Sequence, residues 1–79
     1  MIRFAILGTG RIGEMHAGLV ALQPDARVTW CFDVDEARAR ATAERVGARA
    51  TTDVEAALAA GDVDAVLIAS PTDTHVELI

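Results

Sequence analysis

Apolar positions along the chain keep two rhythms that alternate from one end to the other. Ile2 to Leu7 is apolar on both faces apart from Arg3, and so are Val28 to Phe32 and Ala65 to Ala69. Short runs without in-out alternation predict strands buried on both sides, as in a parallel sheet. Between them the spacing turns helical. Ile12, Met15, Leu19 and Leu22 follow one another at intervals of 3, 4 and 3, predicting one face of a sheet-covering helix that ends near Pro24. A second helix is predicted from about Asp35 to Val46, with Ala39, Ala43 and Val46 inward and Arg38, Arg40, Glu44 and Arg45 outward. Gly47 closes it by tolerating the left-handed backbone past a helix end. Thr52 with Glu55 reads as a capping box opening a short helix through about Ala60, which Gly61 ends, and Ala48 to Thr51 is left for a short strand. Ser70-Pro71 is expected to open a last helix, because proline suits a first helical position.

Strand and helix thus alternate four times without a repeat or a linker. Right-handed crossovers make this an α/β fold: a partial, doubly wound (Rossmann-type) parallel sheet of strand order 3-2-1-4, truncated before the following strand. Residues 1–79 are expected to be the N-terminal part of a longer dinucleotide-binding domain, with the remainder and a substrate domain beyond. A chain this short buries only about 60% of its unfolded surface. Composition narrows the options further. The chain is 52% apolar with a net charge of −5, and its seven basic residues are all arginine. That balance lacks the basic footprint of nucleic-acid binding. No apolar run approaches a membrane span, so a cytoplasmic protein is expected. Cys31 has no second cysteine to pair with and is read as a small core residue; no metal site is expected.

Gly8-Thr9-Gly10-Arg11-Ile12-Gly13 fits G-x-G-x-x-G directly after one predicted strand and at the start of a predicted helix. In that context the three glycines do different things: Gly8 permits a tight turn, Gly10 leaves room for a diphosphate, and Gly13 allows close helix packing. Free N–H groups near Arg11 to Gly13 would hydrogen-bond phosphate oxygens, helped by the helix dipole. A phosphate-loop nucleoside triphosphatase is disfavoured, because its motif requires a lysine. Asp33 ends the second strand twenty positions after Gly13, where an acid accepts hydrogen bonds from an adenosine ribose and repels a 2′-phosphate. Asp33 with Glu36 also reads as a helix cap, and one carboxylate could serve both purposes. Ala69-Ser70-Pro71-Thr72-Asp73-Thr74-His75 follows the last strand and borders the same crevice, although Ser70 and Asp73 could equally cap the final helix. His16 and His75 have no evident acidic partner.

Taken together, Gly-Thr-Gly-Arg-Ile-Gly-Glu-Met-His, Cys-Phe-Asp-Val-Asp and Ser-Pro-Thr-Asp-Thr-His resemble the N-terminal half-domain of the Gfo/Idh/MocA oxidoreductases, nearest the inositol dehydrogenase branch. The resemblance covers the whole chain. It implies NAD binding, with NADP disfavoured: the diphosphate on the backbone near Thr9 to Ile12, the ribose on Asp33, and Ser70, Pro71 and Thr72 along the cofactor with His75 nearby. It further implies hydride transfer to or from a hydroxyl-bearing carbon of a sugar, inositol or related polyol, in a homo-oligomeric parent. In such enzymes a Glu-Lys-Pro lysine and groups of the second domain carry out the proton transfer. None is present in this chain, so no catalytic residue is expected here and the segment alone should be inactive. A non-catalytic dinucleotide-binding or sensor module is the alternative. An S-adenosylmethionine-dependent methyltransferase and reductases of the dihydrodipicolinate or aspartate-semialdehyde type fit the spacing less well.

Overall fold

The computed structural model describes residues 1–69 and 74–78, without the side chains of 74, 75 and 78. The elements run β1 (Ile2–Leu7), α1 (Arg11–Ala21), β2 (Ala26–Phe32), α2 (Glu36–Val46), β3 (Arg49–Thr51), α3 (Val54–Ala59), β4 (Ala65–Ala69) and β5 (Thr74–Leu78). They form one sheet of order β3-β2-β1-β4-β5. The first four strands in that order pair in parallel, as the apolar runs predict.

Alternation along β1 builds two cores. Ile6, with Phe4 packed beside it, joins Ala17, Val28, Cys31, Ala43 and Leu67 under α1 and α2. Ala5, with Leu7, faces the opposite side with Val63, Val66, Trp30 and Ile68. The register between β1 and β2 slips by one residue after Phe4, which pairs with Val28 while Ala5 pairs with Trp30. The extra residue, Thr29, lets Val28 and Cys31 reach the same core although they are three apart. Its hydroxyl donates to the carbonyls of Asp62 at 3.0 Å and Phe4 at 3.3 Å. Burial pushes the Cys31 thiol up to about 12, in keeping with a packing role.

Three expectations need correction. Met15, Leu19 and Leu22 do not cover the sheet: each is at least half exposed, and the buried face of α1 carries Gly13 and Ala17 instead. The large residues set the visible period, but the small ones permit the close approach that puts a helix on a sheet. The helix caps also move by a residue or two. Asp35, not Asp33, caps α2 by accepting hydrogen bonds from Ala37 and Arg38 N–H, and Asp53, not Thr52, caps α3 by accepting from Glu55 N–H. Finally, Thr74–Leu78 is a strand antiparallel to β4 rather than a helix from Pro71. Pairing with β4 satisfies the backbone groups along that edge of the sheet.

Candidate dinucleotide site

The carboxyl ends of β1, β2 and β4 meet where the chain order reverses, the usual position for a ligand crevice in an open α/β sheet. A cleft of about 390 Å³ lies there, lined by Gly8, Gly10, Arg11, Ile12, Gly13, Asp33, Arg38 and Ala69. Its floor is tightly tied. Gly8 N–H donates to the carbonyl of Phe32 at 2.9 Å, and Asp33 N–H to that of Thr51 at 3.2 Å.

Each glycine of the motif meets a different constraint. Gly8 has φ of +95°, and a Cβ there would lie 2.6 Å from the Ala69 carbonyl oxygen. At Gly13 a Cβ would fall 1.7 Å from the carbonyl oxygen of Gly8, so only glycine lets α1 pack this close to β1. Gly10 is unlike either: nothing lies within 4 Å of a Cβ built there, and the position faces the cleft it lines. Gly10 also precedes α1 without any side-chain cap. The first helical bond runs from Glu14 N–H to the Gly10 carbonyl at 2.8 Å, which leaves the N–H groups of Arg11, Ile12 and Gly13 without intrahelical acceptors. Three donors and the positive end of the helix dipole thus converge on the cleft.

Asp33 is 8% exposed and accepts three hydrogen bonds. Thr9 N–H and the Thr9 hydroxyl both donate to Oδ2, at 2.8 and 2.9 Å, and Asp35 N–H donates to Oδ1 at 2.8 Å. Burial pushes the carboxyl upward, but the bonds from Asp35 and Thr9 outweigh it, with help from the Arg38 charge, and hold Asp33 below the ordinary carboxylate range. It is an anion at neutral pH. Thr9 itself is 2% exposed. Its N–H is committed to Asp33, whereas those of Arg11, Ile12 and Gly13 have no intrahelical acceptor. Arg38, expected to point outward, lines the cleft, with Nε 3.8 Å from Asp35 Oδ2. Its outward place on a polar helix face concealed it. A signal was available, because the first turn of a helix that follows the acid strand returns to the strand ends.

Gly8, Gly10, Arg11, Ile12, Gly13 and Asp33 are thereby brought together, with Thr9 behind Asp33. Ser70, Pro71 and Thr72 lie outside the described residues. The backbone of His75 pairs with Ile68 in β5, and its side chain lies outside the description. His16 is half-buried on α1 and does not line the cleft.

Comparison with known proteins agrees with this geometry. The chain is 46% identical over 78 residues to inositol 2-dehydrogenase of Rhizobium meliloti (strain 1021), an alignment covering 99% of this chain and 23% of that protein. It superimposes on a crystal structure of a myo-inositol dehydrogenase from Corynebacterium glutamicum with a TM-score of 0.84 and 36% identity, covering 91% of this chain and 22% of the other. The myo-inositol dehydrogenase of Lactobacillus casei, solved in complex with NAD(H) and myo-inositol, gives a TM-score of 0.81 at 26% identity, over 90% of this chain and 22% of that one. The chain therefore spans between a fifth and a quarter of the length of these relatives. A family model described as an oxidoreductase family with an NAD-binding Rossmann fold matches residues 2–79, and with the glycine turn, the free amides and the acid at the end of β2, it places this chain in the Gfo/Idh/MocA oxidoreductase family.

Proposed function

We propose that this chain is the cofactor-holding part of a longer NAD-dependent dehydrogenase that acts on inositol or a related polyol. The observation that carries the reading is one cleft holding three helix N–H groups without intrahelical acceptors, an open Gly10 and an ionised acid at the end of β2. The residues fit the group. A Cβ at Gly10 would project into space that a diphosphate needs, and the amides of Arg11, Ile12 and Gly13 match phosphate oxygens. When bound, NAD supplies the carbon that accepts the hydride.

The chain's own residues bind and orient. The α1 amides hold the diphosphate, Asp33 accepts a hydrogen bond from the adenosine ribose, and its negative charge disfavours a 2′-phosphate. Proton transfer is assigned to residues outside this chain. The names of the relatives support a polyol substrate. A cytoplasmic, homo-oligomeric parent belongs to the same proposal.

Calorimetric titration of the full-length protein with NAD and NADP, followed by a rate assay over inositols and sugars, tests the reading. Saturable binding that favours NAD, with NADH formed from a cyclitol or sugar, is expected. Binding without turnover on any polyol would indicate a sensor module, and absence of binding would overturn the assignment altogether.

A further inference from the structure

We propose that Thr9 is a positioning residue that holds the Asp33 carboxylate in an orientation able to receive a ribose hydroxyl, and that it thereby strengthens the preference for NAD over NADP. The inference rests on the cofactor reading above and concerns how the acid is aimed. A carboxylate offers about four acceptor positions, two on each oxygen. Among the described residues Oδ2 is filled by Thr9 alone, through N–H at 2.8 Å and hydroxyl at 2.9 Å. Oδ1 takes Asp35 N–H at 2.8 Å and keeps one position. Asp33 lines the cleft, whereas the cleft-lining residues do not include Thr9, which is buried behind it. Among the described residues one acceptor position therefore remains for a ligand, and it belongs to Oδ1.

The Thr9 side chain sits between two glycines of the turn. It is almost wholly buried, and its hydroxyl is spent on the bond to Asp33. An alanine or valine would preserve the backbone bond and remove half of the hold on Oδ2. The carboxylate plane would then be held by two backbone bonds alone, from Thr9 N–H to Oδ2 and from Asp35 N–H to Oδ1, and its wider rocking about the Cβ–Cγ bond would weaken the directional bond to the ribose. Repulsion of a 2′-phosphate depends on charge rather than on orientation. Affinity for NAD should fall while affinity for NADP stays, so discrimination is the diagnostic quantity.

The experiment compares wild type, Thr9→Val, Thr9→Ser, Asp33→Asn and the double variant Thr9→Val/Asp33→Asn in the full-length protein. Dissociation constants are measured for NAD and NADP, with Trp30 emission as a check on folding. Thr9→Val should weaken NAD about tenfold, the scale of one hydrogen bond to a charged group, and leave NADP unchanged. Thr9→Ser should restore wild-type values, and Thr9→Val should cost nothing further once Asp33 is Asn. Thr9→Ala replaces Thr9→Val if the latter does not fold. Unchanged NAD affinity in Thr9→Val alongside weakened Asp33→Asn would overturn the positioning role and leave the cofactor reading standing. So would equal loss for NAD and NADP, or failure of serine to rescue. Undiminished NAD binding by Asp33→Asn would instead remove the ribose role of Asp33 and this inference with it.

Discussion

The three glycines of the turn carry unequal burdens. Their spacing in the sequence made them stand out together, yet it could not rank them. A Cβ at Gly13 would overlap the Gly8 carbonyl oxygen at 1.7 Å, so α1 would have to lift from β1. Gly13→Ala should therefore destabilise the domain by about 3 kcal/mol, the upper range for overpacking. Thermal unfolding followed through Trp30 measures this directly. Gly10 has no such neighbour, so its constraint is attributed to the ligand. Asp33 was equally visible as the acid after the second strand. Its bonds to Thr9 were not, because a contact across 24 positions depends on how two loops pack rather than on any local pattern.

At the scale of elements, β1 and β4 keep their expected limits, because continuous apolar runs bounded by turn residues define buried strands well. Helix faces were harder to read. In α1 the burial of Gly13 and Ala17 reflects closeness to β1, whereas Met15, Leu19 and Leu22 are the residues that a hydrophobic pattern weights most. Caps shifted because Asp33, Asp35, Thr52 and Asp53 are all competent, and only the backbone decides which of them turns into the helix. For α2 that residue is Asp35, whose Oδ1 accepts from Ala37 N–H at 3.0 Å and Arg38 N–H at 3.3 Å. Asp35→Ala should cost about 1 kcal/mol of stability, read as a lower denaturant midpoint with an unchanged slope. An equal midpoint would show that α2 is held by packing alone.

For the whole molecule, sheet order followed from strand count and crossover handedness, and the last segment did not. A proline after a serine is a good helix opening, but what Thr74–Leu78 becomes depends on the edge of β4, a feature of the assembled sheet. That sheet is held at its far end by Arg3, whose Nε and Nη2 donate to Asp64 Oδ2 and Oδ1, both at 2.9 Å. The Arg3 bonds hold Asp64 well below the usual carboxylate range, as the Thr9 and Asp35 bonds do for Asp33 against the effect of burial. Both acids thus have folded values below their unfolded one, near about 3.9. Their contribution to stability is complete above that value and is lost as pH falls through the folded values. Acid unfolding should therefore begin below about pH 4. Asp64→Asn should lower stability at neutral pH and flatten the acid limb, as followed by Trp30 emission, because its indole N–H donates to Asp62 at 2.9 Å near the same end. An acid limb of unchanged steepness in that variant would contradict this role of the Arg3 clamp.

The most direct test of the central claim is equilibrium binding of NAD to the full-length protein and to its Gly10→Val variant. The backbone at Gly10, with φ of −66° and ψ of −168°, suits any residue, so the variant should fold as wild type does. Saturable binding by wild type, and its loss in a folded Gly10→Val, is the result expected if the diphosphate sits on the α1 amides. Equal NAD affinity in the two proteins would place the cofactor elsewhere.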